Sequence, residues 1–188
     1  MTPDLSPAAR RQLLEVARRA LRARVLGEWF RPDARESELQ RPGGAFVTVR
    51  RRKDRELRGC VGRMDPRRPL IEAVAMAASA AAADDRRFDP VTAEELPLLS
   101  LEISALGPVF EARPDSIEVG VHGIVVSGAG RTGLLLPQVA VEHGWARETF
   151  LEHACRKAGL PPDAWRGPGC EIRAFTATLI SDDEGDDS

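Results

Sequence analysis

Apolar positions change period along the chain, and each change marks an element. Ser6 followed by Pro7 supplies an N-cap and a first-turn proline, after which Leu14, Ala17, Leu21 and Val25 recur at helical spacing as far as Gly27. An amphipathic helix is predicted there. A loop rich in Pro, Arg and Glu over 31–44 leads to Phe46 and the β-branched Val47, Thr48 and Val49. These predict a strand over 45–50, a turn over 51–55 and a returning strand over 56–64. Residues 69–83 are mostly Ala, Leu, Ile and Val, small enough to let a buried helix approach a sheet closely. Thr92 and Glu95 have the spacing of a capping box, ahead of a short helix ended near Pro97.

Leu99, Leu101, Ile103 and Ala105 alternate with Ser100, Glu102 and Ser104, the pattern of a strand with one apolar face and Glu102 on the other. Ile117, Val119 and Val121 predict another strand. Ile124, Val125 and Val126 do not keep its parity, so a bulge or tight bend is expected at His122-Gly123. Gly128-Ala129-Gly130 has no helix start after it and reads as a hairpin, not a phosphate loop. Helices follow over 139–143 and 147–157, the second stopped by Gly159, and a last strand over 171–180. Strands and helices interleave without a βαβ repeat, which predicts an α+β fold with a mainly antiparallel sheet flanked by helices.

Composition narrows this picture. A chain of 188 residues, 43% hydrophobic, builds one sizeable core, or one core with a smaller lobe, so a single domain over 1–180 is expected. No apolar run approaches the ~20 residues of a membrane span, and residues 1–6 have neither a basic nor an apolar leader segment, which makes a cytoplasmic location the expectation. Cys60, Cys155 and Cys170 are an odd number without close pairing, so reduced thiols are expected and not a disulfide framework. The formal charge of -2 is uneven, because residues 181–188 (SDDEGDDS) contribute five carboxylates and no cation. That segment reads as a solvated, disordered acidic tail.

The chemistry centres on Leu57-Arg58-Gly59-Cys60-Val61-Gly62. On a regular strand Arg58 and Cys60 share a face at roughly 6.5–7 Å, close enough for the arginine to favour a thiolate. Gly59 and Gly62 open space for backbone or ligand to approach. The plain alternative is a small buried thiol filling a gap, the reading given to Cys155 and Cys170. A nucleophilic cysteine wants a base, and of His122, His143 and His153 the first is best placed, at the expected bend; a histidine bonded to turn backbone is the bland alternative. Glu102 and Glu142 offer carboxylates, while no HxH, HExxH or Cys-rich spacing marks a metal site, and no cofactor is indicated. The run Arg50-Arg51-Arg52-Lys53, with Arg55 and Arg58, is a weak nucleic-acid signal on a turn without interleaved aromatics.

The segment 57–62 resembles the L-R-G-C-I-G segment of the AMMECR family, called AmmeMemoRadiSam system protein A in prokaryotes. Asp85-Arg86-Arg87-Phe88-Asp89-Pro90 is similar to that family's D-P-R-F-x-P, with Arg86 in place of Pro. The likeness continues through Leu101-Glu102-Ile103-Ser104-Ala105-Leu106, Gly120-Val121-His122-Gly123-Ile124, Leu135-Leu136-Pro137-Gln138 and the 157–165 segment ending in Trp165. The resemblance implies a two-lobed α+β fold with a cleft beside the Cys60 segment. It also implies work alongside a MEMO-like protein and a radical S-adenosylmethionine enzyme. On this footing Cys60, His122 and Glu102 are expected as catalytic residues, and Arg58, Gly59, Gly62 and Arg87 as substrate-binding ones. Non-catalytic adaptor and RNA-binding module are the alternatives.

Overall fold

A computed structural model describes residues 4–65 and 67–182. The chain divides into two compact units, one holding Asp4–Leu106 together with the segment from Thr178, the other Gly107–Ala177. Each has its own sheet and its own core.

In the first unit, helix α1 (Pro7–Leu26) starts where Ser6 accepts a hydrogen bond from the Ala9 N–H and ends at Gly27, whose φ of 69° suits a residue without Cβ. Its buried face is Ala9, Leu13, Val16, Ala17, Ala20 and Leu21, with Leu14 and Val25 at the margin of the expected stripe. Strands β1 (Gly44–Arg51) and β2 (Leu57–Arg63) form the predicted hairpin, and helix α2 (Leu70–Ala83) follows. Strand β3 (Leu99–Leu106) and the C-terminal strand β8 (Ala177–Ser181) complete a four-stranded sheet in the order β2-β1-β3-β8. Ala45, Val47, Val49, Leu101, Ile103 and Ala105 alternate onto one face and bury against α1 and α2.

The second unit contains β4 (Phe110–Glu111), β5 (Gly123–Gly128), β6 (Arg131–Leu135), α3 (Pro137–Glu142), α4 (Arg147–Lys157) and β7 (Cys170–Phe175). Its antiparallel sheet runs β4-β7-β5-β6. Ala129 and Gly130 turn the β5–β6 hairpin with φ of 49° and 72°, as the sequence predicts. Ile124, Val126, Phe150, Leu151, Ala154 and Ala174 form its core.

The fold is therefore α+β with two antiparallel sheets, and four local expectations change. Residues 117–121 are not a strand: only Ile117 is buried, and Gly120, at φ 83°, turns the chain before β5 begins at Gly123. The expected last strand over 171–180 is two strands of different sheets, parted at Thr176. The helix expected after Thr92 is a turn with a 3-10 segment at Leu96–Leu98, although Glu95 does accept from the Thr92 N–H as in a capping box. The supposed tail begins in order, with Ser181 closing β8 and Asp182 tied to Arg18 at 2.9 Å and to the Leu101 N–H; residues 183–188 lie outside the described residues. Among the described residues no helix is long and apolar enough to cross a membrane.

Candidate functional site

The β1–β2 register decides what surrounds Cys60. Thr48 lies opposite Cys60 on one side and opposite Glu102 of β3 on the other, so the three form a row across adjacent strands, on the face away from α1 and α2. All three are half-buried. The Thr48 hydroxyl donates to Cys60 Sγ at 3.3 Å. Two strand spacings put the Cys60 and Glu102 backbones roughly 10 Å apart, with Thr48 as the floor between them.

A second element grips Cys60 from the end of α2. Asp85 Oδ2 accepts the Cys60 backbone N–H at 2.9 Å, and both Asp85 oxygens accept from the Arg87 guanidinium, at 2.9 and 2.7 Å. The Asp85 side chain is 8% exposed and that of Arg87 59%, so the pair holds the strand at one end and presents a cation to solvent at the other. The Arg87 guanidinium holds the Asp85 carboxyl well below the usual carboxylate range; desolvation opposes this, and the Cys60 and Arg87 N–H groups reinforce it. Arg87 is correspondingly raised, first by Asp85.

Arg58 stands elsewhere. Val49 pairs with Gly59 but Arg50 pairs with Leu57, which makes Arg58 the extra residue of a β-bulge and breaks the alternation that would place it beside Cys60. Its guanidinium makes a bidentate pair with Glu95 at 2.8 and 2.9 Å and also donates to the carbonyls of Asp89 and Pro90. That pairing depresses the Glu95 carboxyl and raises Arg58. In this geometry Arg58 ties the 89–95 loop to β2.

The two glycines also differ from expectation. A Cβ on Gly59 would stand 2.2 Å from the Ala81 carbonyl oxygen, so Gly59 is where α2 meets the sheet. On the opposite face a Cβ on Gly62 would lie 2.0 Å from the Phe46 ring. Both close approaches are filled by the protein itself.

His122 belongs to the second unit, in the turn before β5, where the Glu118 N–H donates to its Nδ1 at 3.1 Å and Phe110 meets its ring edge-on. This bond assigns the proton of a neutral ring to Nε2, so Nε2 is a donor and proton acceptance would cost the turn its bond. Thr48 and Asp85 are the site residues that sequence reasoning passed over. Among the described residues no group of three or more His, Cys, Asp or Glu is placed to hold a metal ion.

Residues 14–180 match the AMMECR1 family model. The chain belongs to the AMMECR1 family. One AMMECR1 relative, Protein MK0488 of Methanopyrus kandleri, is 46% identical over 149 residues, covering 75% of this chain and 72% of its own. Protein TK0174 of Thermococcus kodakarensis is 42% identical over 182 residues, covering 91% and 89%. The crystal structure of the uncharacterized protein PH0010 from Pyrococcus horikoshii matches with a TM-score of 0.80 at 41% identity, over 89% of this chain and 88% of that one.

Proposed function

We propose that this AMMECR1 protein is a component of an AmmeMemoRadiSam-type modification system, working beside a MEMO-like protein and a radical S-adenosylmethionine enzyme, with an active site on Cys60. The observation that carries the reading is the Cys60–Thr48–Glu102 row with the Asp85–Arg87 clamp behind it. In this reading Cys60 is the nucleophile or transient covalent carrier, and Thr48 orients its sulfur. Glu102 moves protons at a group seated over Thr48, and Arg87 draws the anionic end of a substrate.

The test has two parts. In the native protein, iodoacetamide should label Cys60 before Cys155, and Arg87→Ala should slow that labelling. Co-purification with both partners should then be followed by comparing metabolites and RNA nucleosides between Cys60 and Cys60→Ala. An unchanged profile with both partners still bound sinks the catalytic reading.

One observation favours a second reading, a non-catalytic adaptor. Ala81 and the Phe46 ring account for Gly59 and Gly62 by packing alone, so the segment has a shape role whatever its chemistry. The adaptor predicts that Cys60→Ala is silent while Gly62→Ala disturbs partner binding. RNA binding finds less support, since Arg50, Arg51, Arg52 and Arg55 are bonded to the Arg55 carbonyl, Glu56, Asp182 and Ser100 respectively.

A further inference from the structure

Three arginines of the first unit surround a cavity of about 300 Å³ that has no part in the Cys60 site. Arg18 and Arg22 come from α1, one turn apart on the same face, and Arg52 is the residue after β1. Leu21, Leu96, Leu99 and Leu101 form the apolar wall. Leu99 and Leu101 are buried and alternate with Glu102, so the cavity lies on the α1 side of the sheet and Cys60 on the other. Among the described residues Asp182 is the one carboxylate lining it, with its side chain 1% exposed. Its Oδ2 accepts from the Leu101 N–H at 2.9 Å and from Arg52 at 3.4 Å. Arg18 Nη2 stands 2.9 Å from Oδ1, yet among the described residues that oxygen accepts no hydrogen bond. The contact is ionic only and leaves the Arg18 N–H donors unspent. Arg22 has no partner among the described residues.

We propose that Arg18, Arg22 and Arg52 bind a small phosphate monoester, its phosphate on the arginines and an apolar body against the leucines. Three cations against one carboxylate leave two positive charges that the lining does not answer. Like charges four residues apart on a helix repel, and an anion between Arg18 and Arg22 turns that repulsion into attraction. Guanidinium groups suit the task, because their planar N–H forks match the oxygens of a phosphate. Arg52, already held by Asp182, adds the third charge. Asp182 is a positioning residue here: it keeps Arg18 and Arg52 at one place while the Leu101 N–H fixes it to β3.

Charge and shape select the ligand class. A phosphate monoester loses its second proton near pH 6, so above that it carries about two negative charges, the number the lining leaves open. A carboxylate brings only one. Inorganic phosphate leaves the leucine wall wet, whereas an apolar body covers it, and a cavity of this size takes one headgroup with a small body. A nucleic-acid strand finds no aromatic ring in the lining on which to stack a base.

Titration of the full, nitrogen-15-labelled chain with phenyl phosphate, followed by amide chemical shifts at low salt, tests the site. The Arg18, Arg22, Arg52 and Leu99 amides should move saturably, with tighter binding at pH 8 than at pH 5.5. Benzoate and inorganic phosphate should bind more weakly at pH 8, and neutral benzyl alcohol should leave those amides still. Arg22→Ala should weaken phenyl phosphate about tenfold, as loss of one charge-assisted hydrogen bond would. Arg24→Ala, on the same helix outside the cavity, should leave binding unchanged. Residues 183–188 add four carboxylates to the sequence, so the titration is repeated with Asp183→Asn, Glu184→Gln, Asp186→Asn and Asp187→Asn combined. No saturable shift at the four amides in either protein, or undiminished binding by Arg22→Ala, would overturn the proposal. Inorganic phosphate or benzoate binding as tightly as phenyl phosphate would overturn the ligand class.

Discussion

At the scale of single residues, the weight of the Cys60 site falls on Asp85. It takes the Cys60 N–H and two guanidinium nitrogens of Arg87 while nearly buried, so removing it takes the acceptor from both. Asp85→Ala is expected to cost about 1–3 kcal/mol at pH 7, measured by urea unfolding. The pH dependence has a definite sign. The folded carboxyl titrates below its unfolded value, so its contribution is complete above the ordinary pKa of about 4 and is lost as pH falls towards the folded one. The gap between Asp85→Ala and the parent should therefore narrow from pH 7 to pH 3. A gap of constant size would show that the charge is not what matters. Asp85 was readable in the sequence only as part of a family-like segment, because nothing local says which backbone N–H a loop carboxylate will take.

Between elements, Gly59 and Gly62 make opposite predictions. Gly59→Ala presses on helix backbone, which can yield only if α2 moves, so a loss of about 1–3 kcal/mol is expected. Gly62→Ala presses on the end of a side chain, and Phe46→Leu in the same molecule should recover much of its cost. Thermal melts of the three single variants and of each glycine variant combined with Phe46→Leu decide the point; equal rescue at both glycines would count against the packing described. Much at this scale was legible beforehand. The Ser6 cap, the β1–β2 hairpin, the alternation through Glu102 and the stop at Gly159 are local signals, and each element stands where they put it. The misreadings share a cause. Arg58 at a bulge, Val119 and Val121 in a turn, and Thr176 between two sheets are positions where β-like residues continue while their partners change, and partners are not written in the segment itself.

For the whole molecule, separate cores imply separate resistance to opening. Phe150→Ala removes the largest buried ring side chain of α4 and should cost about 3–5 kcal/mol, with faster amide exchange across Gly107–Ala177 and little change in α2 and β1. Uniform acceleration through both units would mean that they open as one. Asp182→Ala should act in the other unit, loosening β8 and freeing the Leu101 N–H, at about 1–3 kcal/mol.

The connectivity sets an order on synthesis. Strand β3 leaves the ribosome long before β8, its neighbour on the outer edge of the sheet, and everything from Gly107 to Ala177 is made in between. During that interval one side of β3 has no strand to pair with, while the second unit already has all of its own strands by Phe175. A nascent chain therefore carries an incomplete first sheet through the synthesis of the whole second unit. The exposed edge of β3 is the surface that a chaperone or a neighbouring nascent chain would meet, until the last strand and Asp182 arrive to cover it.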